Sequence, residues 1–126
     1  MARILLIDDN LLVRHMLKIH IELSPDLEVV GVNETGGKAV DLVFKYKPDI
    51  TVVDLDMPGS TGRKIVEELH QAVPDIPIIA TSLNDSQINV TISREAGAVD
   101  FVVKQANSVD LIKAIRQAIS LSLPKK

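Results

Sequence analysis

Cysteine is absent, so neither a disulfide nor a thiolate metal site is available to this chain. Aromatic side chains are scarce: Phe44, Tyr46 and Phe101 are the only three. No apolar stretch approaches the roughly 18 residues of a membrane span. Basic residues form no stripe; the formal charge is −3, and Lys125 and Lys126 are too few to make a nucleic-acid footprint. No charged-then-apolar leader opens the sequence, because Met1-Ala2-Arg3 runs directly into a strand-like segment. Together these absences lead us to expect a cytoplasmic protein with no membrane partner and no direct nucleic-acid contact.

What remains is aliphatic. Apolar residues make up 46 % and charged residues 25 % of 126 residues, enough to bury one core and to argue against disorder. Five short apolar runs stand out: Ile4–Ile7, Val29–Val32, Ile50–Val53, Ile76–Ala80 and Val99–Val103. Each has the near-continuous apolar character of a strand covered on both faces.

Helical spacing fills the intervals. The first stretch carries Leu12, Met16, Ile19 and Leu23 with Asn10 as its cap. The second carries Ala39, Leu42, Val43 and Tyr46, the third Ile65, Val66, Leu69 and Val73. The fourth carries Ile88, Ile92 and Ala96, and the fifth Leu111, Ile115, Ala118 and Ile119 with Ser108 as its cap. Ser24-Pro25-Asp26 and Lys47-Pro48-Asp49 end the first two helices, and Gly97 stands where a helix stop belongs. Strand-helix alternation with right-handed crossovers predicts an α/β, (βα)5 doubly wound parallel sheet. The order 2-1-3-4-5 is adopted by analogy with flavodoxin-like folds. The domain is expected over residues 1–122, with 123–126 a tail or the start of a linker.

Ligands of such sheets bind beyond the carboxyl ends of the strands. Strand one ends in Asp8-Asp9, strand three in Asp54 with Asp56 two residues on, strand four in Thr81-Ser82, and strand five in Lys104. Each has a bland reading: acids at a helix N-terminus, a strand terminator, capping hydroxyls, a snorkelling lysine. Their conjunction in this order is informative. Crowded carboxylates raise one another's pKa unless a cation compensates, and a hard dication such as Mg²⁺ takes oxygen ligands. A carboxylate beside a dication, a lysine and a hydroxyl suits phosphoryl transfer onto the carboxylate.

These residues resemble the bacterial receiver domains of two-component systems. The resemblance spans nearly the whole chain. It rests on Asp8-Asp9, on Asp54-Leu55-Asp56-Met57-Pro58 followed by Gly62, on Thr81, and on Phe101-Val102-Val103-Lys104. It implies that Asp54 accepts the phosphoryl group. Asp9 would bind Mg²⁺ (or Mn²⁺) directly and Asp8 mostly through water, Asp56 giving its backbone carbonyl. Thr81 and Lys104 would hold the phosphoryl oxygens and Phe101 would be an aromatic switch. The implied partners are a sensor histidine kinase or phosphotransfer protein, a downstream target, and a second copy of the domain. The implied activity is self-phosphorylation and dephosphorylation, not multiple turnover on external substrates.

Three positions depart from the family pattern. Gln105 replaces a proline after Lys104, and Lys104-Gln105-Ala106-Asn107 resembles the branch joined to helix-turn-helix DNA-binding domains. Ser82 stands where alanine is frequent. Leu83 and Asp56 flank the path of attacking water, so phosphoryl lifetime is expected to be tuned here. Three rival readings fit the residues less well. A haloacid-dehalogenase-type phosphohydrolase would place Asp54-x-Asp56 on its first strand, and a flavodoxin-like cofactor module would not place Asp8-Asp9 in a phosphate loop. A third, a degenerate receiver that only binds partners, would lack some of the five side chains present here.

Overall fold

A computed structural model describes residues 1–33, 38–58, 61–84, 86–104 and 108–122. Its elements alternate as expected: β1 (Ala2–Ile7), α1 (Leu11–Glu22), β2 (Leu27–Asn33), α2 (Ala39–Tyr46), β3 (Ile50–Asp54), α3 (Thr61–Ala72), β4 (Ile78–Ser82), α4 (Gln87–Ala96), β5 (Asp100–Val103) and α5 (Val109–Ser122). The five strands are parallel in the order β2-β1-β3-β4-β5.

Strand alternation sorts the core into two layers. Ile4, Leu6, Ile50, Val52, Ile79 and Val102 pack with residues of α1 and α5 on one face. Leu5, Ile7, Val53, Ile78 and Ala80 pack with residues of α2, α3 and α4 on the other. Both faces of the central strands are therefore dry, which is why they read as unbroken apolar runs.

Thr51 is the exception within β3. It is fully buried and its Oγ1 lacks a hydrogen-bond partner among the described residues, while its register neighbours Leu5 and Ile78 are apolar. Thr51→Val keeps the shape and removes an unpaired hydroxyl. It should stabilise the chain by about 1–2 kcal/mol, read as a higher urea midpoint at unchanged slope.

The structure corrects several expectations. β4 starts at Ile78 rather than Ile76, because Pro77 has no N–H to give a ladder and its carbonyl takes the Thr51 N–H at 3.1 Å. The strand runs on through Thr81 and Ser82. The face expected for α1 is wrong: Leu12, Ile19 and Leu23 are 80, 62 and 76 % exposed, while Arg14, Leu17 and Ile21 are buried. In α4, Ile88 faces solvent and only Ser93 and Ala96 are buried.

Asn10 caps α1 as expected, accepting from Val13 N at 3.1 Å. Ser108 stands at the head of α5 with a left-handed φ of 57°, and its hydroxyl shares a 2.8 Å hydrogen bond with His20 Nδ1. That bond ties α5 to α1. Gly97 stops α4 with φ 122°, where a side chain would also strike His70. The Lys104–Gln105 peptide and the tail 123–126 lie outside the described residues. Among the described residues, no helix is long and apolar enough to cross a membrane.

Candidate functional site

The parallel register delivers the acidic residues to one end of the sheet. Ile7 pairs with Val53, so Asp8 leaves β1 beside the end of β3, where Asp54 is the last residue. Asp54 in turn pairs with Thr81 of β4, and Leu55 N donates to the Thr81 carbonyl at 2.8 Å. Lys104 follows β5 and is anchored by its N–H on the Ser82 carbonyl at 2.8 Å. Gly62, in the first turn of α3, permits the close approach of that helix to the end of β3. A Cβ there would collide with the Asp54 carbonyl oxygen and come within 2.8 Å of Leu55 Cα.

Asp8, Asp9 and Asp54 each bring a carboxylate oxygen within 4.8 Å of the others. Asp8 and Asp54 are buried, whereas Asp9 is exposed at the mouth. The Lys104 ammonium sits among the acids, 2.9 Å from Asp54 Oδ1, 3.1 Å from Asp8 Oδ2 and 3.8 Å from Asp56 Oδ2. Burial pushes the Asp54 carboxyl up to about 6, helped by the charge of Asp8; Lys104 and the Asp56 N–H pull the other way and lose. Burial alone would lower the Lys104 pKa, but the hydrogen bond and charge of Asp54, with Asp8 behind it, raise it above its ordinary value. One lysine therefore does not neutralise the cluster.

A dication fits this donor set. All the ligand atoms on offer are carboxylate oxygens, which suit a hard ion. Asp8 Oδ2 is buried, and among the described residues the Lys104 ammonium at 3.1 Å is the one group that faces it as a cation. Its second lone pair is available to a cation.

The structure brings Asp8, Asp9, Asp54, Asp56, Thr81 and Lys104 to this end of the sheet. Phe101 is half-buried on β5, level with Ala80 and packed against the layer that holds α2, α3 and α4. Asp56 behaves unexpectedly. Its N–H donates to Asp54 Oδ1 at 2.9 Å, but its carboxylate turns to the β4–α4 connection, accepting Ser82 Oγ–H at 2.6 Å and Leu83 N–H at 2.7 Å.

Two contributors were not anticipated. Arg14 is buried and donates from Nη1 to the Asp8 carbonyl at 2.9 Å, holding the turn that presents Asp8 and Asp9. The signal was present: Arg14, Leu17 and Ile21 share one helical face, and a cation there needs a buried acceptor. Ser82, in sequence a strand-end hydroxyl and a small residue, places its hydroxyl at the centre of a polar network with Asp56, Asn84 and Asn89.

Comparison with known proteins agrees with this geometry. The family described as "Response regulator receiver domain" matches residues 4–116. The transcriptional regulatory protein DegU of Brevibacillus brevis is 34 % identical over 114 residues, covering 90 % of this chain and 48 % of DegU. A protein-glutamate methylesterase/protein-glutamine glutaminase of Thermotoga maritima is 32 % identical over 129 residues, covering 94 % of this chain and 38 % of that protein. The chain thus spans about half or less of these relatives. A crystal structure of a two-component response regulator of the LuxR family from Aurantimonas superposes with a TM-score of 0.87 at 30 % identity, covering 94 % of this chain and 85 % of that one.

Proposed function

This chain belongs to the response regulator receiver domain family, and we propose that it is a signalling switch thrown by phosphorylation of Asp54. The observation that carries this reading is the convergence of three carboxylates and one ammonium beyond the strand ends. Asp54 Oδ1 already receives Lys104 and the Asp56 N–H, so Oδ2 is the attacking oxygen. It forms a bond to phosphorus as the bond from phosphorus to the donor's imidazole nitrogen breaks, and an acyl phosphate results.

Lys104 stays charged next to the arriving oxygens and offsets their negative charge. Thr81, level with Asp54 on the neighbouring strand, is placed to donate to one of them. Asp8, Asp9 and Asp54, with the Asp56 carbonyl, would hold Mg²⁺, or Mn²⁺ in its stead. The ion supplies charge neutralisation for the transferred group. The donor is a phosphohistidine on a sensor kinase or phosphotransfer protein.

The response is a population shift. Thr81 moves toward the phosphoryl group, Phe101 turns inward, and the surface of α4, β5 and α5 changes for a downstream target or a second copy of the domain. The small buried area of α4 supports its choice as the moving element. Transcription is the output that the likeness to DegU favours. The likeness to a protein-glutamate methylesterase supports a receiver that does not choose the output alone, since similar receivers occur in proteins of other activities.

Acetyl phosphate with Mg²⁺ is expected to add one phosphoryl group, seen by intact mass and mapped to Asp54. Asp54→Asn should show none, and chelation should prevent the adduct in the parent. An unmodified parent under these conditions would favour a receiver that only binds partners.

A further inference from the structure

Ser108 stands just before the first turn of α5. A serine there ordinarily caps the helix, with extended backbone and its side-chain oxygen on a first-turn N–H. Ser108 departs from this. Its φ is 57°, in the left-handed region, and among the described residues its hydroxyl bonds to His20 Nδ1 on α1, at 2.8 Å. The residue is 2 % exposed, so the hydroxyl needs a partner inside the protein. A left-handed serine costs about as much as one hydrogen bond contributes. Two positions of Ser108 are therefore close in free energy: one latched to His20, the other turned back to cap its own helix.

Both partners of the bond lead to the acidic site. His20 belongs to the helix whose Arg14 holds the Asp8 carbonyl at 2.9 Å. Ser108 follows Lys104 by four residues, and the Lys104 ammonium lies 2.9 Å from Asp54 and 3.1 Å from Asp8. A phosphoryl group on Asp54 takes that ammonium as its partner and so draws on Ser108 through the backbone. Further along α5, Arg116 makes two hydrogen bonds to Asp26, at 2.6 and 3.1 Å. Release at Ser108 would free the first turn of α5 and leave the helix held at its middle.

We propose that the His20–Ser108 hydrogen bond is a latch that sets the position of the head of α5, and that a phosphoryl group in the site favours its release; the second half rests on the switch reading above. On release, Ser108 takes extended backbone and its oxygen accepts the Leu111 N–H. Its φ changes by more than about 100°, which shifts the first turn of α5. That turn belongs to the surface proposed to change. One serine exchanging one partner for another is then the two-position element that joins α1 to the output face.

The test uses purified full chains: parent, His20→Ala, His20→Asn, Ser108→Gly and the His20→Ala/Ser108→Gly double variant. Amide hydrogen exchange is read residue by residue by NMR in chelator. His20→Ala should slow exchange at Leu111 roughly fivefold, the contribution of one hydrogen bond, because Ser108 then caps the helix. A contact that served packing alone would give the opposite sign, with faster exchange throughout the first turn. His20→Asn should return Leu111 to the parent rate, since the Asn amide atoms stand the same number of bonds from Cα as Nδ1. Ser108→Gly lacks the hydroxyl and adopts the left-handed φ freely, so adding His20→Ala to it should change Leu111 by less than about twofold.

A second arm measures the affinity for beryllium trifluoride with Mg²⁺, a reversible mimic of the phosphoryl group. By reciprocity, a ligand that favours release binds a released variant more tightly. His20→Ala should bind roughly three- to fivefold more tightly than the parent, up to the contribution of the lost bond, and His20→Asn like the parent. Faster or unchanged Leu111 exchange in His20→Ala would overturn the latch. Slowed exchange with equal affinity would overturn its link to the switch. A parent that does not bind the mimic, with Leu111 responding as expected, would remove the switch reading and leave the latch standing.

Discussion

Lys104→Met is expected to destabilise the chain by about 3–5 kcal/mol in chelator, the scale for removing one member of a buried ion cluster. The ammonium is 7 % exposed and lies within 3.1 Å of both Asp8 and Asp54. Without it, two buried carboxylates face each other with no cation between them. A loss of that size is a large part of a typical domain's stability and should lower the melting temperature by roughly 10 °C or more. Mg²⁺ should restore more stability to the variant than it adds to the parent, because the ion then meets the acids without a competing charge. Thermal melts of both proteins across a Mg²⁺ titration give the comparison, and equal recovery would contradict it.

Asp54→Asn should do the reverse and stabilise the metal-free chain at pH 7–8 by about 1–2 kcal/mol. Burial lifts the Asp54 carboxyl from 3.8 to about 6 in the folded chain. Between roughly pH 4 and 6 the folded state therefore retains a proton that the unfolded state has released. Stability contributed by this group declines as pH rises through that window, and the whole cost is present above about pH 6. The full shift corresponds to roughly 3 kcal/mol, reduced here for solvent and for the adjacent lysine.

The gain from Asn should accordingly shrink toward zero below about pH 4. Glu22 and Asp26 carry the opposite sign, since Lys18 and Arg116 hold their pKa values down. The quantity to follow is thus the difference between parent and variant, not the parent's own profile. Added Mg²⁺ should close the gap above pH 6 by stabilising the parent more than the variant. A difference that does not vary with pH would show that Asp54 bears no such burden.

The layout of the site was legible because its residues are strand-terminal. Apolar runs mark β1, β3, β4 and β5, and in a parallel sheet whatever follows such a run must emerge at one end. Asp8, Asp54, Thr81 and Lys104 needed only that rule and a strand order. The order came from resemblance; the pairing of β3 with both β1 and β4 is what makes Asp54 central.

Helix faces were less legible. In α1, two sets of residues satisfy helical spacing: Leu12, Met16, Ile19 and Leu23, or Val13, Leu17 and Ile21. The second contains the face with Arg14, which looks polar in sequence but is buried against the Asp8 carbonyl. A partner 6 residues away, across a strand-to-helix turn, decides that orientation. Ser108 is similar, since its hydroxyl answers to His20, 88 residues earlier, in addition to standing at the head of α5.

Residue order by itself determined the elements, the parallel sheet and the identity of the charged groups at its edge, because apolar periodicity and strand-end placement are local properties. Tertiary structure alone decided which oxygen of Asp54 is occupied, how far its proton affinity rises, and that Ser82 and Asn89 hold Asp56. Those depend on burial and on donors arriving from separate strands and helices, and hydrogen bonds and dielectric have no counterpart in spacing along a chain.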